Sequence, residues 1–267
     1  MLVLPLYAFQ RGWAYETGRC ANTIPANNTL AVSLTESWDN STISFALTIK
    51  DKPRPVNKMA LWADQTDNVL YRWGGEISQW ANASRDDAAL WRFTPGDDGE
   101  GQWAKEEGGD GFGDILQASN GAAAVCGQKS FYMGGYGTAS SDYRLGEIKS
   151  GTGVPPLPGL LSYDMGDKVW SNISAVAAIP PNGISINGQA LCPSTFNDDG
   201  ILVFVGGLST SRSDASRDIE MNSMRNITFF DPANETWHWQ EARGEIPRPR
   251  EHHCAVGAQG QNGTYEM

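Results

Sequence analysis

Histidine, the side chain most often used for proton transfer and metal binding near neutral pH, occurs only three times in the 267 residues. His252 and His253 are adjacent, and we expect them to belong to a strand. Adjacent strand residues point to opposite faces, so these two imidazoles would not bind one metal ion. The third, His238, lies between two tryptophans in a segment with the pattern of an outer strand. We therefore predict no catalytic residue, no cofactor-binding residue, no cofactor and no metal ligand.

Pairs of adjacent acidic residues are the other groups that could do chemistry: Asp86-Asp87, Asp97-Asp98, Glu106-Glu107 and Asp198-Asp199. A calcium-binding loop needs a set spacing of oxygen ligands that a glutamate closes, and none of the pairs has it. A glycoside hydrolase needs two carboxylates at a set separation across a cleft, which spacing along the chain does not define. The two Asp-Asp-Gly segments, Asp97-Asp98-Gly99 and Asp198-Asp199-Gly200, are interpreted as turns.

The composition limits both the fold class and the partners. The chain has 20 basic and 31 acidic residues, a net charge of −11, and 40% of its residues are hydrophobic. This hydrophobic content is typical of a folded chain, and the acidic balance argues against nucleic acid as a partner. The 30 glycines and 10 tryptophans favour many short strands joined by tight turns. No apolar run reaches the length that crosses a bilayer.

Three segments of the chain share one pattern. Each has a hairpin-like pair of short apolar runs that ends in two glycines: Gly74-Gly75, Gly134-Gly135 and Gly206-Gly207. A variable loop follows, then an aromatic strand, a turn and a tryptophan: Trp103, Trp170 and Trp237. The pattern predicts a repeated unit of four strands, a to d, in which the glycine pair ends strand b. We interpret the glycines as a source of backbone freedom and these tryptophans as packing between neighbouring units.

This repeat resembles the kelch repeat, in which a strand ends in Gly-Gly and a tryptophan follows an aromatic residue by about seven positions. The resemblance implies an all-β fold, a kelch-type β-propeller of the galactose oxidase/kelch superfamily, most similar to fungal secreted and cell-surface kelch proteins. Its blades would be 51–105, 106–176 and 177–243, with partial blades at 28–50 and 244–267. That makes four to five blades and an incomplete propeller.

The ends of the chain fit the repeat only in part. Residues 1–27 are interpreted as an N-terminal segment, either the remnant of a signal peptide or part of a strand. Leu30–Trp38 is predicted to form strands c and d of a partial blade, and His252–Gln259 strand a of another.

Glycosylation motifs and cysteines indicate the cellular compartment in which the protein acts. The motif Asn-x-Ser/Thr occurs seven times, at Asn27, Asn40, Asn82, Asn172, Asn226, Asn234 and Asn262. This excess over chance predicts an extracellular or cell-surface glycoprotein, with any membrane anchor outside this chain. The chain has four cysteines, Cys20, Cys126, Cys192 and Cys254. They could form two disulfides in three alternative ways, and their spacing does not select one of them.

The long loops predict where a ligand would bind. In a four-stranded antiparallel blade the b–c and d–a loops leave on one face, and the b–c loops here are long, at 76–88, 136–159 and 208–225. Length variation confined to one face is typical of a recognition surface. The residues predicted to face a protein or glycan ligand are Trp80, Arg85, Tyr143, Arg144, Arg212, Arg217 and Arg225. The function predicted is a non-catalytic binding or scaffold module.

Two alternatives remain open. The superfamily includes galactose oxidase, a copper-radical enzyme whose site needs two histidines, two tyrosines and a cysteine, and no residue-by-residue match to that site exists here. The second alternative is an intracellular kelch adaptor for protein partners, which the glycosylation motifs disfavour.

Overall fold

The fold is known from a computed structural model. It describes residues 7–10, 13–17, 28–35, 37–77, 83–147, 156–157, 159–176, 178–179, 184–193, 200–210, 218–261 and 264–266. The described chain is all-β, apart from two short 3-10 helices at Phe112–Asp114 and Tyr143–Glu147. No helix within these residues is long and apolar enough to cross a membrane. The prediction of an all-β fold is confirmed.

Four antiparallel sheets of four strands each make up most of the structure. The first sheet contains β1 (Tyr7–Gln10), β2 (Trp13–Thr17), β3 (Asn28–Ser33) and β4 (Ala46–Ile49). The second contains β5 (Ala60–Asp64), β6 (Val69–Trp73), β7 (Leu90–Pro95) and β8 (Gly101–Glu106). The third contains β9 (Ala122–Cys126), β10 (Lys129–Met133), β11 (Leu160–Asp164) and β12 (Val169–Ile173).

The fourth sheet has a hairpin inserted between its second and third strands. The sheet contains β13 (Gln189–Leu191), β14 (Leu202–Val205), β17 (Asn226–Asp231) and β18 (Thr236–Glu241). The inserted hairpin is β15 (Leu208–Thr210) with β16 (Ile219–Met221), and β19 (Ala258–Gln259) pairs with β20 (Tyr265–Glu266) further along. The b–c loop at 208–225 is therefore partly a hairpin, where the sequence predicts an irregular loop.

The chain divides into two compact units, each described by itself. The first unit is Met1–Gly108, Ile115–Ser119 and Thr138–Glu147, and it holds the first two sheets. The second unit is Gly109–Asp114, Asn120–Gly137 and Ile148–Met267, and it holds the other two.

The repeat sets the strand register in the same way in three sheets. The aromatic residue of strand c lies directly opposite the tryptophan of strand d: Phe93 with Trp103, Tyr163 with Trp170, and Phe230 with Trp237. In the first case the step is ten residues rather than seven. A wider turn takes up the difference, since Gly96 donates its backbone N–H to the Glu100 carbonyl at 2.5 Å. The paired rings pack, with centroids 4.5 Å apart for Tyr163 and Trp170.

Three predictions about the ends of the chain need correction. The partial blade expected at 28–50 is a complete four-stranded sheet that begins at Tyr7. Trp38, expected in strand d, lies outside the strands, because Asp39 accepts hydrogen bonds from Ser41 and Thr42 and holds the chain in a turn before β4. The strand expected at 252–259 is shorter, since only Ala258–Gln259 pairs.

Each unit has an apolar core between its two sheets. In the first unit, Ala31 of β3 packs with Leu61, Leu70 and Phe93 of the second sheet. In the second unit, Phe131 and Phe230 meet edge to face, with centroids 6.2 Å apart, inside a larger cluster from both sheets. A disulfide between Cys126 and Cys192 links these two sheets. It selects a pairing that the sequence left open. Cys254 is exposed and forms no disulfide with a described residue, and Cys20 lies outside the described residues.

Candidate functional site

The glycine pairs make the same contact three times. The second glycine donates its N–H to a carbonyl of a later segment: Gly75 to Ala118 at 2.7 Å, Gly135 to Ser185 at 2.6 Å, and Gly207 to Arg250 at 2.8 Å. The first glycine has φ between 64° and 67°, and a Cβ there would overlap the same carbonyl. Only glycine allows both the left-handed backbone and the close approach. The pairs therefore have an architectural role, as the sequence predicts.

The strand d tryptophans are also used in packing. The Trp103 indole N–H donates to Thr29 Oγ1 of the first sheet at 2.9 Å. The Trp237 N–H donates to the Ser174 carbonyl, just past β12, at 2.8 Å. Trp170 lies between Tyr163 and Phe112, with its centroid 4.5 Å and 5.5 Å from theirs. All three rings are therefore engaged in contacts within the protein.

Two of the long b–c loops pair with each other inside the first unit. Ile77 donates its backbone N–H to the Ser140 carbonyl, and Ala83 donates to the Ala139 carbonyl, both at 3.0 Å. We call residues 83–88 and 138–146 the loop pair. Backbone hydrogen bonds between two loops reduce the freedom of both, so the side chains they carry have defined positions.

Asp142 anchors the second half of the loop pair. Its carboxylate is fully buried and accepts hydrogen bonds from the Gln117 backbone N–H at 2.9 Å and from the Arg144 side chain at 2.6 Å. Arg144 also donates to the Ile115 carbonyl. Burial by itself would raise the pKa of Asp142, but the hydrogen bonds from Arg144 and Gln117 outweigh it and hold the pKa below its usual value. Arg144 was predicted to face a ligand. Its side chain instead donates hydrogen bonds to Asp142 and to the Ile115 carbonyl within the protein.

Arg85 is exposed on the loop pair and contacts the half-buried Tyr143. The Arg85 guanidinium lies over the Tyr143 ring, 5.6 Å from its centroid, and Tyr143 packs below on Val56, Met59, Ile77 and Ala83. Arg85 is exposed and forms no ion pair with a described residue. The acids beside it are already engaged: Asp86 pairs with Lys52 at 2.6 Å, and Asp87 accepts from the Ser84 N–H at 2.8 Å. Arg85 is thus an exposed cation in contact with an aromatic ring, with no described carboxylate paired to it.

The remaining predicted ligand-facing residues are not assembled with these. Arg225 is exposed in the second unit and pairs with Glu241 at 3.3 Å. Trp80, Arg212 and Arg217 lie outside the described residues. The structure therefore brings together Arg85, Tyr143 and Arg144 from the predicted set.

The histidines are placed differently from the expectation. His252 lies in a bend and His253 directly after it, and neither belongs to a strand, so the argument from strand alternation does not apply to them. His252 has φ of 49° and lies 3.3 Å from Glu251, whereas both ring nitrogens of His253 are buried without a described partner. Burial and the nearby Arg250 lower the pKa of His253. His238 is exposed on β18 and hydrogen-bonds to Thr236.

A metal ion would need a cluster of ligands, and the described part of the chain has none. No group of three or more His, Cys, Asp or Glu side chains is placed there to hold one ion.

The glycosylation motifs that the structure describes are exposed: Asn40, Asn172, Asn226 and Asn234. Asn234 lies in the turn between β17 and β18, where its side-chain amide donates to Asp231 at 2.7 Å. Asn27, Asn82 and Asn262 lie outside the described residues.

Sequence reasoning missed two buried cations, Lys50 and Arg72. Arg72 stands inside the apolar run of β6, and its residue surface is only 2% exposed. A charged residue within such a run was the available signal, because it must be buried if the strand is central.

Comparisons with known proteins bear on the fold alone. No protein-family model and no curated protein matches the chain. Among solved structures, the chain is similar to that of YjhT, with a TM-score of 0.57 and 16% sequence identity, over 96% of this chain and 73% of that one. At this identity the match shows that the arrangement of β-sheets is shared.

Proposed function

We propose that this chain is a non-catalytic binding module with a kelch-type β-propeller fold and that the loop pair is its recognition surface. The observation that carries the proposal is the pairing of two long loops through backbone hydrogen bonds, in which the guanidinium of Arg85 lies over the Tyr143 ring. A preformed surface of this kind loses little conformational entropy when it binds.

The propeller part of the proposal is supported by the repeat. Three glycine pairs each hydrogen-bond to a later segment, and three aromatic–tryptophan pairs have the same register. Such contacts between successive four-stranded units are what radial stacking in a propeller requires.

The chemistry of the loop pair favours an acidic ligand group on a glycan or a protein. The guanidinium of Arg85 offers a planar set of donors that suits a carboxylate, sulfate or phosphate group. The Tyr143 ring adds an apolar face next to that charge. In a chain of net charge −11, such a cation in a fixed place would also direct an acidic partner to this surface.

We further propose that the protein acts outside the cell or at its surface. The seven glycosylation motifs and the disulfide between Cys126 and Cys192 support this, since disulfides persist mainly in oxidising compartments.

The proposed function can be tested with an array of neutral, sialylated, sulfated and uronic-acid glycans, together with an acidic peptide series. We expect binding to one acidic class and a loss of at least about tenfold in Arg85→Ala, the size of one lost charged hydrogen bond. Arg225→Ala, which removes an exposed loop arginine of the second unit, is the matched control and should bind normally. Equal binding by wild type and Arg85→Ala, or binding to neutral glycans only, would contradict the proposal.

A further inference from the structure

Three exposed cations lie beside the loop pair in the first unit. Lys52 and Arg54 belong to the connection between β4 and β5, and Lys105 belongs to β8. About half of each side chain is exposed: 56% for Lys52, 51% for Arg54 and 51% for Lys105. None of the three belongs to the loop pair itself. We call Lys52, Arg54 and Lys105 the basic rim.

The basic rim contacts the loop pair through two neighbouring carboxylates. Asp86 lies 2.6 Å from Lys52 Nζ and 3.5 Å from Lys105 Nζ. Asp87 lies 3.6 Å from the Nε of Arg54. The two lysines, Lys52 above all, hold the pKa of Asp86 below its usual value. Because both ammonium groups reach one carboxylate, they are close enough to hold one acidic group of a ligand together.

The strand arrangement explains why the two lysines meet although they are distant along the chain. Lys105 lies on the face of β8 that also carries Trp103, two residues before it. The indole of Trp103 donates a hydrogen bond to the first sheet, so this face is turned toward that sheet, whose last strand Lys52 follows. Glu106 points to the other face of β8 and lies 3.9 Å from Arg92, so its charge is directed away from the basic rim.

The surface formed by the basic rim and the loop pair carries more positive than negative charge. Among the described residues that these contacts join, with Arg85 next to Asp86 in the chain, four cations lie around two carboxylates. Asp87 is nearly enclosed, and it already accepts hydrogen bonds from the backbone and the hydroxyl of Ser84 at 2.8 Å and 2.7 Å. In a chain of net charge −11, this local excess of positive charge attracts an acidic partner to one place.

We propose that the ligand of the loop pair is a linear acidic polysaccharide, a chain of uronic-acid or sulfated sugars, which extends from Arg85 onto the basic rim. This inference rests on the proposed function, since it keeps one acidic group at Arg85 and adds a second between Lys52 and Lys105. Arg85 directly precedes Asp86, and adjacent Cα atoms are about 3.8 Å apart, so the two places are neighbours. Ion pairs between exposed side chains contribute little free energy, so an acidic group of the ligand can replace Asp86 at the two lysines.

The mixture of charges on this surface favours a sugar chain over an acidic peptide. An acidic sugar has hydroxyl groups that donate hydrogen bonds to carboxylates, as well as acidic groups that accept them from cations. Asp86 has 53% of its side chain exposed, so once the lysines hold the ligand it can accept a hydrogen bond from a sugar hydroxyl. The same carboxylate would repel the acidic side chains of a peptide.

The test measures dissociation constants of the purified chain by calorimetric titration with three kinds of probe, each at several lengths. Oligogalacturonates carry carboxylates on sugars, heparin fragments also carry sulfates, and oligoglutamates carry carboxylates on a peptide. We expect one of the two sugar series to gain at least about tenfold in affinity between a single acidic sugar and a chain of about six, because the second contact forms within the complex. The series that binds more tightly distinguishes a carboxylate ligand from a sulfated one.

Two matched variants decide whether the gain with length belongs to the basic rim. Lys105→Met should lower the affinity for the long sugar probe about tenfold, the size of one lost charged hydrogen bond. Lys129→Met removes an exposed strand lysine of β10 in the second unit and should bind every probe as the wild type does. Because both lysines are exposed, both variants should unfold at the wild-type temperature, which the same samples can show.

The outcomes separate this inference from the proposed function. Binding of acidic sugars that does not depend on length, or that is unchanged in Lys105→Met, but is lost in Arg85→Ala, would overturn the extension onto the basic rim and leave the proposed function in place. Oligoglutamates that bind as tightly as the sugar chains would overturn the choice of a polysaccharide. If no acidic probe binds at any length, both proposals fail.

Discussion

The two units join their sheets in different ways. In the second unit, the third and fourth sheets share a cluster of ten buried residues that includes Phe131 and Phe230, and the Cys126–Cys192 disulfide closes it. The first unit has a smaller apolar cluster around Leu70 and Phe93, and it also buries two cations, Lys50 and Arg72. The same four-stranded architecture therefore supports an apolar core closed by a disulfide in one unit and, in the other, a smaller apolar core beside two buried cations.

This contrast concerns how each unit is stabilised. An apolar core joined by a disulfide gains stability from hydrophobic burial and from a restricted unfolded chain. Buried cations cost stability, because they lose their hydration and regain only part of it through hydrogen bonds with the protein.

The largest expected effect concerns the glycine contact that both units share. Gly134→Ala places a Cβ against the Ser185 carbonyl at φ of 65°. We expect a loss of more than about 3 kcal/mol in the free energy of unfolding, from left-handed strain and steric overlap together. Urea denaturation of the wild type and the variant measures this difference in the free energy of unfolding.

Gly127→Ala is the matched control for that substitution. Gly127 has φ of 56°, but no atom lies within 4 Å of the place that a methyl group would take, so only the backbone strain remains, about 1–2 kcal/mol. Equal losses for the two variants would show that the close approach to Ser185 does not matter.

Removal of the disulfide should destabilise the second unit and leave the stability of the first unit unchanged. The bond joins residues 66 apart, and Cys126→Ala with Cys192→Ala should cost about 3–4 kcal/mol through a less restricted unfolded chain. Hydrogen exchange followed by peptide should show loss of protection in β9–β14 with little change in β5–β8. Cys254→Ala, which removes the exposed free thiol, should leave both regions unchanged.

The first unit should instead respond to pH through Lys50. Its pKa is about 8 in the folded protein, against 10.5 for an unperturbed lysine, so the unfolded chain binds more protons between these values and stability rises with pH there. The wild type should gain about 2–3 kcal/mol relative to Lys50→Met from about pH 7.5 to about pH 10.5. Parallel curves for the two proteins would mean that Lys50 does not titrate in this range.

The smallest expected effect concerns the surface. In material secreted from a eukaryotic host, enzymatic removal of N-glycans should lower the mass, and Asn234→Gln should remove one glycan without a measurable change in stability, since Asn234 is exposed in a turn. Peptide mapping should find glycans at Asn172, Asn226 and Asn234 of the second unit and at Asn40 of the first. If the secreted protein does not change in mass on this treatment, the glycosylation motifs no longer support an extracellular location.

Much of the strand pattern could be predicted because it depends on local spacing. Gly-Gly at the end of strand b and the aromatic–tryptophan step of seven residues determine hairpin register, and in a hairpin the register follows from the turn. The first sheet was only partly predicted, since β1 and β2 lack a glycine pair to mark them.

The candidate site was predicted in part. Arg85, Tyr143 and Arg144 were singled out from their place in long loops, and the structure groups these three residues. The hydrogen bonds of Arg144 to Asp142 and of Ile77 to Ser140 could not be foreseen, because they depend on how segments distant along the chain come together in space.

Glycine and aromatic residues at fixed intervals are enough to specify a repetition of short antiparallel strands, because they act through the local geometry of each hairpin. The pairing of Cys126 with Cys192, the position of Arg85 over Tyr143, and the burial of Lys50 and Arg72 became known only from the folded chain. These features depend on which sheet faces which. Burial of a charge or the meeting of two thiols is a property of packing between distant segments, and spacing along the chain does not encode it.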